Sequence, residues 1–191
     1  MGLLKPDDGT LIIDNSVLNN ENLRSWQDTI GFVSQSIFLS EGTIAENIAF
    51  GIPSDQINFM QVEMAIKQAH LSELINSLEE GVNTKVGERG VQLSGGQRQR
   101  VGIARALYHD TKVLVFDEAT SSLDGITEKN IMNAISDLSD RKTVILIAHR
   151  LKTVEKCDQI FFIDQGKLVD SGSYSYLIEN NEHFRNMARN A

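Results

Sequence analysis

The chain has 191 residues and is acidic, with 26 Asp and Glu residues against 18 Lys and Arg residues and a formal net charge of −8 at pH 7. Its length and its 41% content of hydrophobic residues predict one domain with a substantial core. An acidic surface repels nucleic acid on average, and the apolar runs are far shorter than the roughly 20 residues of a membrane-spanning helix, so the composition argues against nucleic acid as a partner and against a transmembrane segment.

Short β-branched runs alternate with amphipathic stretches, a pattern that predicts an α/β fold with a parallel sheet covered by helices. Strands are expected at residues 10–13, 30–33, 112–116, 143–147 and 159–163. The last of these should turn at residues 164–166 into a further strand at residues 167–170, because Asp-Gln-Gly suits a tight hairpin turn.

Between residues 35 and 110 the strand signal nearly vanishes, and apolar residues recur at helical spacing, for example at Val62, Ile66 and Ala69. This region is interpreted as a helical insertion into the sheet domain. Residues 173–190 are also predicted to be helical. Four side chains of that stretch are expected to pack inward, those of Tyr176, Leu177, Phe184 and Met187.

The strongest local signal is Leu-Ser-Gly-Gly-Gln at residues 93–97, which precedes a helical stretch. Gly95 and Gly96 let backbone N–H groups approach an anion closely, the helix dipole favours negative charge, and Ser94 adds a hydroxyl donor. The pattern therefore predicts a phosphate-binding helix end. Taken alone, it would also suit an ordinary loop-to-helix junction that Ser94 caps.

Two carboxylates end the apolar run at residues 112–116. Asp117 and Glu118 follow that run directly, and the carboxyl ends of strands are where α/β sheets bind ligands. Asp117 suits association with Mg²⁺, and Glu118 suits a general base for an attacking water. The alternative interpretation is a pair of solvated acids that cap the next helix.

Two more polar residues follow predicted strands. His149 comes directly after the apolar residues 144–148, where it could bind a phosphate group or orient a water molecule. Gln35 lies just past the predicted strand at residues 30–33. Each of these residues, considered alone, is also compatible with a purely structural role.

In this order and spacing, the segments resemble the ATP-binding domain of ABC transporters over nearly the whole chain. The matching positions are Gln35 for the Q-loop, residues 93–97 for the signature sequence, Asp117 for the Walker B aspartate, Glu118 for the catalytic glutamate, residues 121–124 for the D-loop and His149 for the switch histidine. The resemblance implies a P-loop NTPase (RecA-like) core at residues 1–34 and 111–191, with an ABC helical subdomain at residues 35–110. It also implies ATP and Mg²⁺ as ligands.

The resemblance gives each matched residue a role. Glu118 and His149 would be catalytic, and Asp117 and Gln35 would associate with Mg²⁺ beside ATP on the same subunit. A second nucleotide-binding domain would join in a head-to-tail dimer, with Asp124 linking the two sites across the interface. The residues expected to contact ATP held by that partner are Ser94, Gly95, Gly96 and Gln97.

Residues 42–51 and 84–90 resemble segments of the exporter branch of the family, which lie near the coupling helices of the membrane domain. They argue against the DNA-repair and translation-factor branches. A membrane domain, fused in the full-length protein, is therefore the expected partner, with this region on the cytoplasmic face. The N-terminus shows no signal-peptide pattern, and the single cysteine, Cys157, has no Cys or His residue at metal-ligand spacing. Both observations agree with the expected cytoplasmic location.

The P-loop motif, Gly-x-x-x-x-Gly-Lys-Ser/Thr, does not occur in the sequence. The only Gly-Lys pair is Gly166-Lys167, which Leu168 follows, and Phe161 stands where the first glycine would be needed. In the family, a strand, the P-loop and a helix precede a segment like residues 2–9. The chain is therefore expected to begin after them, to bind ATP poorly by itself and to expose apolar sheet surface.

Three hypotheses follow from these observations. Within a complete polypeptide, the region hydrolyses ATP to drive export. Alternatively, the chain is a non-catalytic module that presents its signature helix to the P-loop of a complete partner, or it is a non-functional fragment. The presence of Gln35, Asp117, Glu118 and His149 together favours the first hypothesis.

Overall fold

The computed structural model describes residues 1–87, 91–119 and 125–189. They form two compact units, Met1–Ile145 and Leu146–Ala191. The mixture of strands and helices confirms the predicted α/β class. Among the described residues, no helix combines the length and the apolar character that crossing a membrane would require.

The N-terminal unit contains most of the strands and helices. In chain order they are β1 (Ile12–Ile13), β2 (Ser16–Val17), α1 (Leu23–Gln27), β3 (Ile30–Val33), β4 (Gly42–Thr43), α2 (Ile44–Ile48), α3 (Phe59–Gln68), α4 (Ser72–Ser77), β5 (Lys85–Val86), α5 (Gly95–Leu107), β6 (Val113–Asp117), α6 (Gly125–Ser139) and β7 (Thr143–Ile147), whose last two residues belong to the C-terminal unit.

The main sheet has the strand order β3-β6-β7. β3 and β6 run parallel, with Val33 opposite Phe116. Val33, Leu114 and Phe116 are buried, whereas Phe32 is 42% exposed, so these two strands have one covered face. α5 packs against β3, and it does so closely enough that a side chain at Gly31 would collide with the backbone oxygen of Ala106 in α5.

The helices predicted between residues 35 and 110 are confirmed by α2, α3, α4 and α5. The side chains expected in its core, Val62, Ile66 and Ala69, are all buried. The region also holds one short antiparallel pair that the sequence analysis did not predict, in which Gly42 of β4 lies opposite Val86 of β5. The division of the chain into a core at residues 1–34 and 111–191 and a helical subdomain at residues 35–110 stays a prediction.

The C-terminal unit continues with α7 (Leu151–Val154), β8 (Ile160–Asp164), β9 (Lys167–Gly172), α8 (Tyr174–Asn180) and α9 (Glu182–Arg189). β8 and β9 form the predicted hairpin, with Asp164 opposite Lys167. Gln165 and Gly166 between them have φ angles of 46° and 74°, as a two-residue turn between twisted strands requires. The buried core of this unit consists of Leu151, Val154, Ile160, Leu177 and Phe184.

The expected inward packing at the C-terminus is confirmed for Leu177 and Phe184 and wrong for Tyr176 and Met187, which are 47% and 36% exposed. Tyr176 precedes the buried Leu177 by one position, and neighbouring helix residues point about 100° apart, so only one of them faces the core. The stretch predicted to be helical forms two helices, α8 and α9. Asn181 lies between them and its Oδ1 accepts a hydrogen bond from the Phe184 N–H at 2.9 Å, so apolar spacing across this break does not define one face.

The predicted strands at residues 30–33 and 143–147 are confirmed, and those at residues 112–116 and 159–163 begin one residue later than expected. The first strand is shorter than predicted, because Ile12–Ile13 forms a small hairpin with Ser16–Val17. Its turn residues Asp14 and Asn15 have φ angles of 46° and 64°. β2 is only two residues long, too short to be recognised by alternation of apolar and polar residues.

Candidate functional site

The Leu-Ser-Gly-Gly-Gln segment forms the N-terminus of α5, as predicted. Ser94 is the N-cap residue, and its Oγ accepts a hydrogen bond from the Gln97 backbone N–H at 3.2 Å. The Gln97 side chain reciprocates, since its Oε1 accepts from the Ser94 N–H at 2.8 Å. This capping box fixes the first turn of a helix of 13 residues.

The first turn of α5 has the features of an anion site. Gly95 is exposed and Gly96 is buried. Backbone N–H groups in the first turn of a helix have no partner within the helix, and the helix dipole adds partial positive charge there. The Ser94 Oγ already accepts a hydrogen bond from the Gln97 N–H. The hydrogen of its hydroxyl group is therefore the atom that it could donate to a ligand.

The structure brings Gln35 and Glu118 together. The Gln35 Nε2 donates a hydrogen bond to the Glu118 Oε2 at 3.1 Å, across 83 positions of sequence. The register of the sheet explains the contact. Val33 lies opposite Phe116, and Gln35 and Glu118 each follow these partners by two residues, so both emerge at the carboxyl ends of neighbouring parallel strands.

The backbone at Glu118 is strained. Its φ angle is 48°, in the left-handed region that costs a non-glycine residue roughly 1–2 kcal/mol. This conformation turns the chain sharply out of β6 directly after Asp117, the last residue of the strand. Ala119 is 7% exposed and anchors the chain after the turn. Such strain at a strand end is typical of functional sites, where surrounding packing holds the backbone in place.

The remaining predicted site residues lie in different places. Asp117 is half-buried at the end of β6, directly beside Glu118 in the chain. His149 belongs to the C-terminal unit, where it is exposed and follows β7 by two residues. Its placement beside the carboxylates stays a prediction. Asp124, like the other D-loop positions 121–123, lies outside the described residues.

Sequence reasoning missed three polar residues that are packed beside these motifs. Asn47 and Gln99 are almost fully buried, at 0% and 5% exposure, and Arg105 is half-buried in the last turn of α5. The available signal for Asn47 and Arg105 was their position beside apolar helix residues, where an unpartnered polar side chain is costly and a hydrogen-bonding network is therefore expected. Gln99 lies between Arg98 and Arg100, so no such signal marks it.

Comparison with known proteins agrees with these motifs. The family model described as "ABC transporter" matches residues 1–121. The chain is 40% identical over 185 residues to an ATP-dependent lipid A-core flippase of Cupriavidus pinatubonensis (strain JMP 134 / LMG 1197). This match covers 96% of the present chain and 31% of the flippase. It is 44% identical over 171 residues to the ABC multidrug transporter atrD of Emericella nidulans, covering 90% of this chain and 13% of the transporter.

A solved structure, that of a bacterial Atm1-family ABC exporter with ATP bound, matches with a TM-score of 0.85 and 36% identity. The match covers 97% of this chain and 32% of the exporter chain. The present chain thus spans about a third or less of the proteins that it resembles. The family-model match, the relatives and the shared fold together establish that this chain belongs to the ABC transporter family, as the ATP-binding part of an exporter.

Proposed function

We propose that residues 1–191 provide the signature helix and the catalytic carboxylate of an ABC exporter, in which ATP hydrolysis drives transport through a membrane domain. The observation that carries this proposal is the Gln35–Glu118 hydrogen bond of 3.1 Å at the carboxyl ends of two parallel strands. A carboxylate held in this way, at the edge where α/β sheets bind ligands, suits a general base.

In the proposed reaction, Glu118 accepts a proton from a water molecule as that water attacks the γ-phosphorus of ATP. The bond from this phosphorus to the β–γ bridging oxygen breaks, and ADP and phosphate are the products. Gln35 orients the carboxylate through its Nε2, and the strained turn at Glu118 aims the side chain. His149 donates a hydrogen bond to the γ-phosphate. In phosphoryl transfer the protein contributes little covalent chemistry. It acts mainly by orienting the water molecule and by stabilising charge.

Mg²⁺ fits the residues at this edge of the sheet. The ion is usually held by one or two carboxylates together with substrate phosphates and water, rather than by a complete protein cage. In this proposal Asp117 would offer a carboxylate oxygen to the ion and Gln35 an amide oxygen. Bound there, Mg²⁺ would neutralise charge that develops on the phosphates.

The N-terminus of α5 serves a second nucleotide in this proposal. Ser94, Gly95, Gly96 and Gln97 would contact the γ-phosphate of ATP bound by another nucleotide-binding domain in a head-to-tail dimer. Asp124 would connect the two sites. The observations in favour are the exposed Gly95 and the capped, dipole-aligned first turn of α5, which together make a ready site for phosphate oxygens.

The membrane partner is proposed from two features. Phe50 is 51% exposed on the exporter-like segment at residues 42–51, and Phe38, four residues before that segment, is 72% exposed. Large exposed apolar side chains are typical of interaction surfaces. The relatives are a lipid A-core flippase and a multidrug transporter, so a fused membrane domain and a location at its cytoplasmic face are proposed, with no single cargo assigned.

A second candidate function is favoured by one observation. The N-terminus of α5, the proposed anion site, is a capped helix end, whereas the 191 residues contain no P-loop motif. A chain with these properties would act as a non-catalytic module, which completes the ATP site of a partner that has its own P-loop. Mixing the chain with such a partner should then restore turnover at the partner's site, even when Glu118 is replaced.

The experiment that tests the proposed function is Glu118→Gln in the intact exporter that contains this chain. ATP hydrolysis should fall on the order of 100-fold or more, because the amide cannot accept the proton, while ATP binding is retained. Glu63→Gln, on the exposed side of α3, is the control and should hydrolyse ATP like the wild type. Unchanged turnover in Glu118→Gln would disprove the general-base role.

A further inference from the structure

Asn47 is the centre of a hydrogen-bond network that joins residues 38–43 to α5. It is 0% exposed. Its Oδ1 accepts from the Ser40 N–H at 3.0 Å and from Arg105 Nη2 at 3.2 Å, and its Nδ2 donates to the carbonyl oxygens of Ser40 and Thr43, both at 3.0 Å. A single side chain thereby fixes the turn between the Gln35 region and α2.

Arg105 joins the same network from α5. Its Nε donates to the Asn47 carbonyl oxygen at 2.8 Å, and its Nη1 and Nη2 both donate to the Phe38 carbonyl oxygen at 3.1 Å. The guanidinium also lies 4.7 Å from the centre of the Phe50 ring, within the range of a cation–π interaction. The planar fork of an arginine suits this set of acceptors in a way that the single ammonium group of a lysine does not.

The chain on both sides of Gln35 is in contact with α5. On one side, the Gln99 Nε2 donates to the Ser34 carbonyl oxygen at 3.4 Å. On the other side, Ile37 packs so closely on Gly102 that a Cβ at that position would collide with the Ile37 side chain. Residues 34–38 therefore follow one face of α5. Gln99 contributes one hydrogen bond from a neutral group to this stretch, whereas Arg105 contributes two from a charged group, and hydrogen bonds from charged donors are stronger.

From these contacts we infer that Arg105 and Asn47 are positioning residues for hydrolysis. Arg105 holds the Phe38 backbone on α5, and Asn47 holds both Arg105 and the turn that begins at Ser40. Together they fix the distance from Gln35 to the Glu118 carboxylate. Neither residue touches the reacting atoms. The inference rests on the proposed roles of Gln35 and Glu118, and it adds a connection within one subunit between the signature helix and the glutamine that orients the base.

A merely structural role would lower the amount of folded protein without changing turnover per folded molecule. A positioning role changes kcat, because it alters the orientation of Gln35, and leaves the affinity for ATP unchanged. It also predicts that the effects of changing Arg105 and Gln35 are not additive, since the first residue acts through the second.

The test compares Arg105→Lys, Gln35→Ala and the double variant in the intact exporter, by single-turnover ATP hydrolysis with protein in excess. Arg105→Lys should lower the hydrolysis rate on the order of tenfold at unchanged ATP affinity, and it should change the rate less than about twofold in the Gln35→Ala background. Arg185→Lys is the matched control. Arg185 also donates to backbone carbonyl oxygens, those of Ile178 and Glu179, and its replacement should leave the rate per folded molecule unchanged.

A second pair of variants covers the case in which Arg105→Lys does not fold. Gly102→Ala favours the helix but displaces Ile37, so it should slow hydrolysis, and Ile37→Ala in the same chain should restore the rate by making room. The positioning role alone would be overturned if Arg105→Lys slowed hydrolysis equally in the wild type and in Gln35→Ala. Normal rates in both Arg105→Lys and Gly102→Ala would also overturn it. A normal rate in Gln35→Ala would overturn both this inference and the proposed role of Gln35.

Discussion

Ser94 combines two functions that can be separated by experiment. It caps α5 through its Oγ, and in the proposed function its hydroxyl donates to a phosphate oxygen. Ser173 caps α8 in the same way, with its Oγ accepting from the Tyr176 N–H at 3.2 Å, but it has no proposed role at the ATP site. The two serines therefore form a matched pair.

We expect Ser94→Ala and Ser173→Ala each to lower the free energy of unfolding by about 1 kcal/mol, since each removes one helix cap. Only Ser94→Ala should also weaken the apparent affinity for ATP, on the order of tenfold or more, because it removes a hydrogen bond to a charged group. Denaturant unfolding and the ATP dependence of turnover measure the two effects. An equal loss of ATP affinity in Ser173→Ala would show that the effect comes from stability alone.

At the scale of residues, the sequence predicted the helix end at Ser94 and the carboxylates at the end of β6, because both depend on local patterns. Gln35 and Glu118 were each predicted to follow a strand. The parallel register of β3 and β6 places the two strand ends side by side, so that these residues are in contact. The positive φ angle of Glu118 and the network around Asn47 could not be predicted, because tertiary packing determines them.

The helix α2 begins with a capping box that is sensitive to acid. The Thr43 Oγ1 accepts from the Glu46 N–H at 3.1 Å, and the Glu46 carboxylate accepts from the Thr43 N–H at 2.7 Å and from the Ser54 hydroxyl at 2.7 Å. The backbone hydrogen bond from Thr43, and next the bond from Ser54, lower the pKa of Glu46 from 4.5. These bonds favour the ionised form.

A lowered pKa in the folded state contributes stability that is fully present above the unfolded-state pKa of 4.5 and is lost as the pH falls through the folded-state pKa. The wild type should therefore lose more free energy of unfolding on acidification than Glu46→Gln does. Ser54→Ala keeps the charge but removes one of the bonds, and it should show an intermediate loss. Denaturant unfolding at a series of pH values measures this, and identical pH profiles for all three proteins would contradict the account.

At the scale of elements, alternation and helical spacing predicted β3, β7, the C-terminal hairpin and the helical region correctly. The exceptions have local causes. β1 and β2 are held by a tight turn rather than by an apolar face, and the stretch predicted to be helical over residues 173–190 is divided into two helices at Asn181. A capping residue inside a continuous apolar pattern ends one helix and begins another.

At the scale of the molecule, strands expose apolar side chains. Phe32 and Ile145 are 42% and 47% exposed in the main sheet, and Phe161 and Ile163 are 63% and 64% exposed in the C-terminal hairpin. These values confirm the expectation of exposed apolar sheet surface. Such surface favours association with further polypeptide, which agrees with a chain that spans 31% of the length of the flippase it matches.

The central claim is that these residues contribute to an ATP site whose phosphate-binding loop comes from another segment. Hydrogen bonds to charged groups contribute roughly 1.5–3 kcal/mol each, so the loss of three would weaken ATP binding on the order of a thousandfold or more. The most direct test is calorimetry of ATP binding with Mg²⁺, on the 191-residue chain and on a version preceded by a strand, a P-loop and a helix. The account predicts binding by the extended version only. Tight binding by the 191-residue chain would contradict it, because another segment would then hold the phosphates.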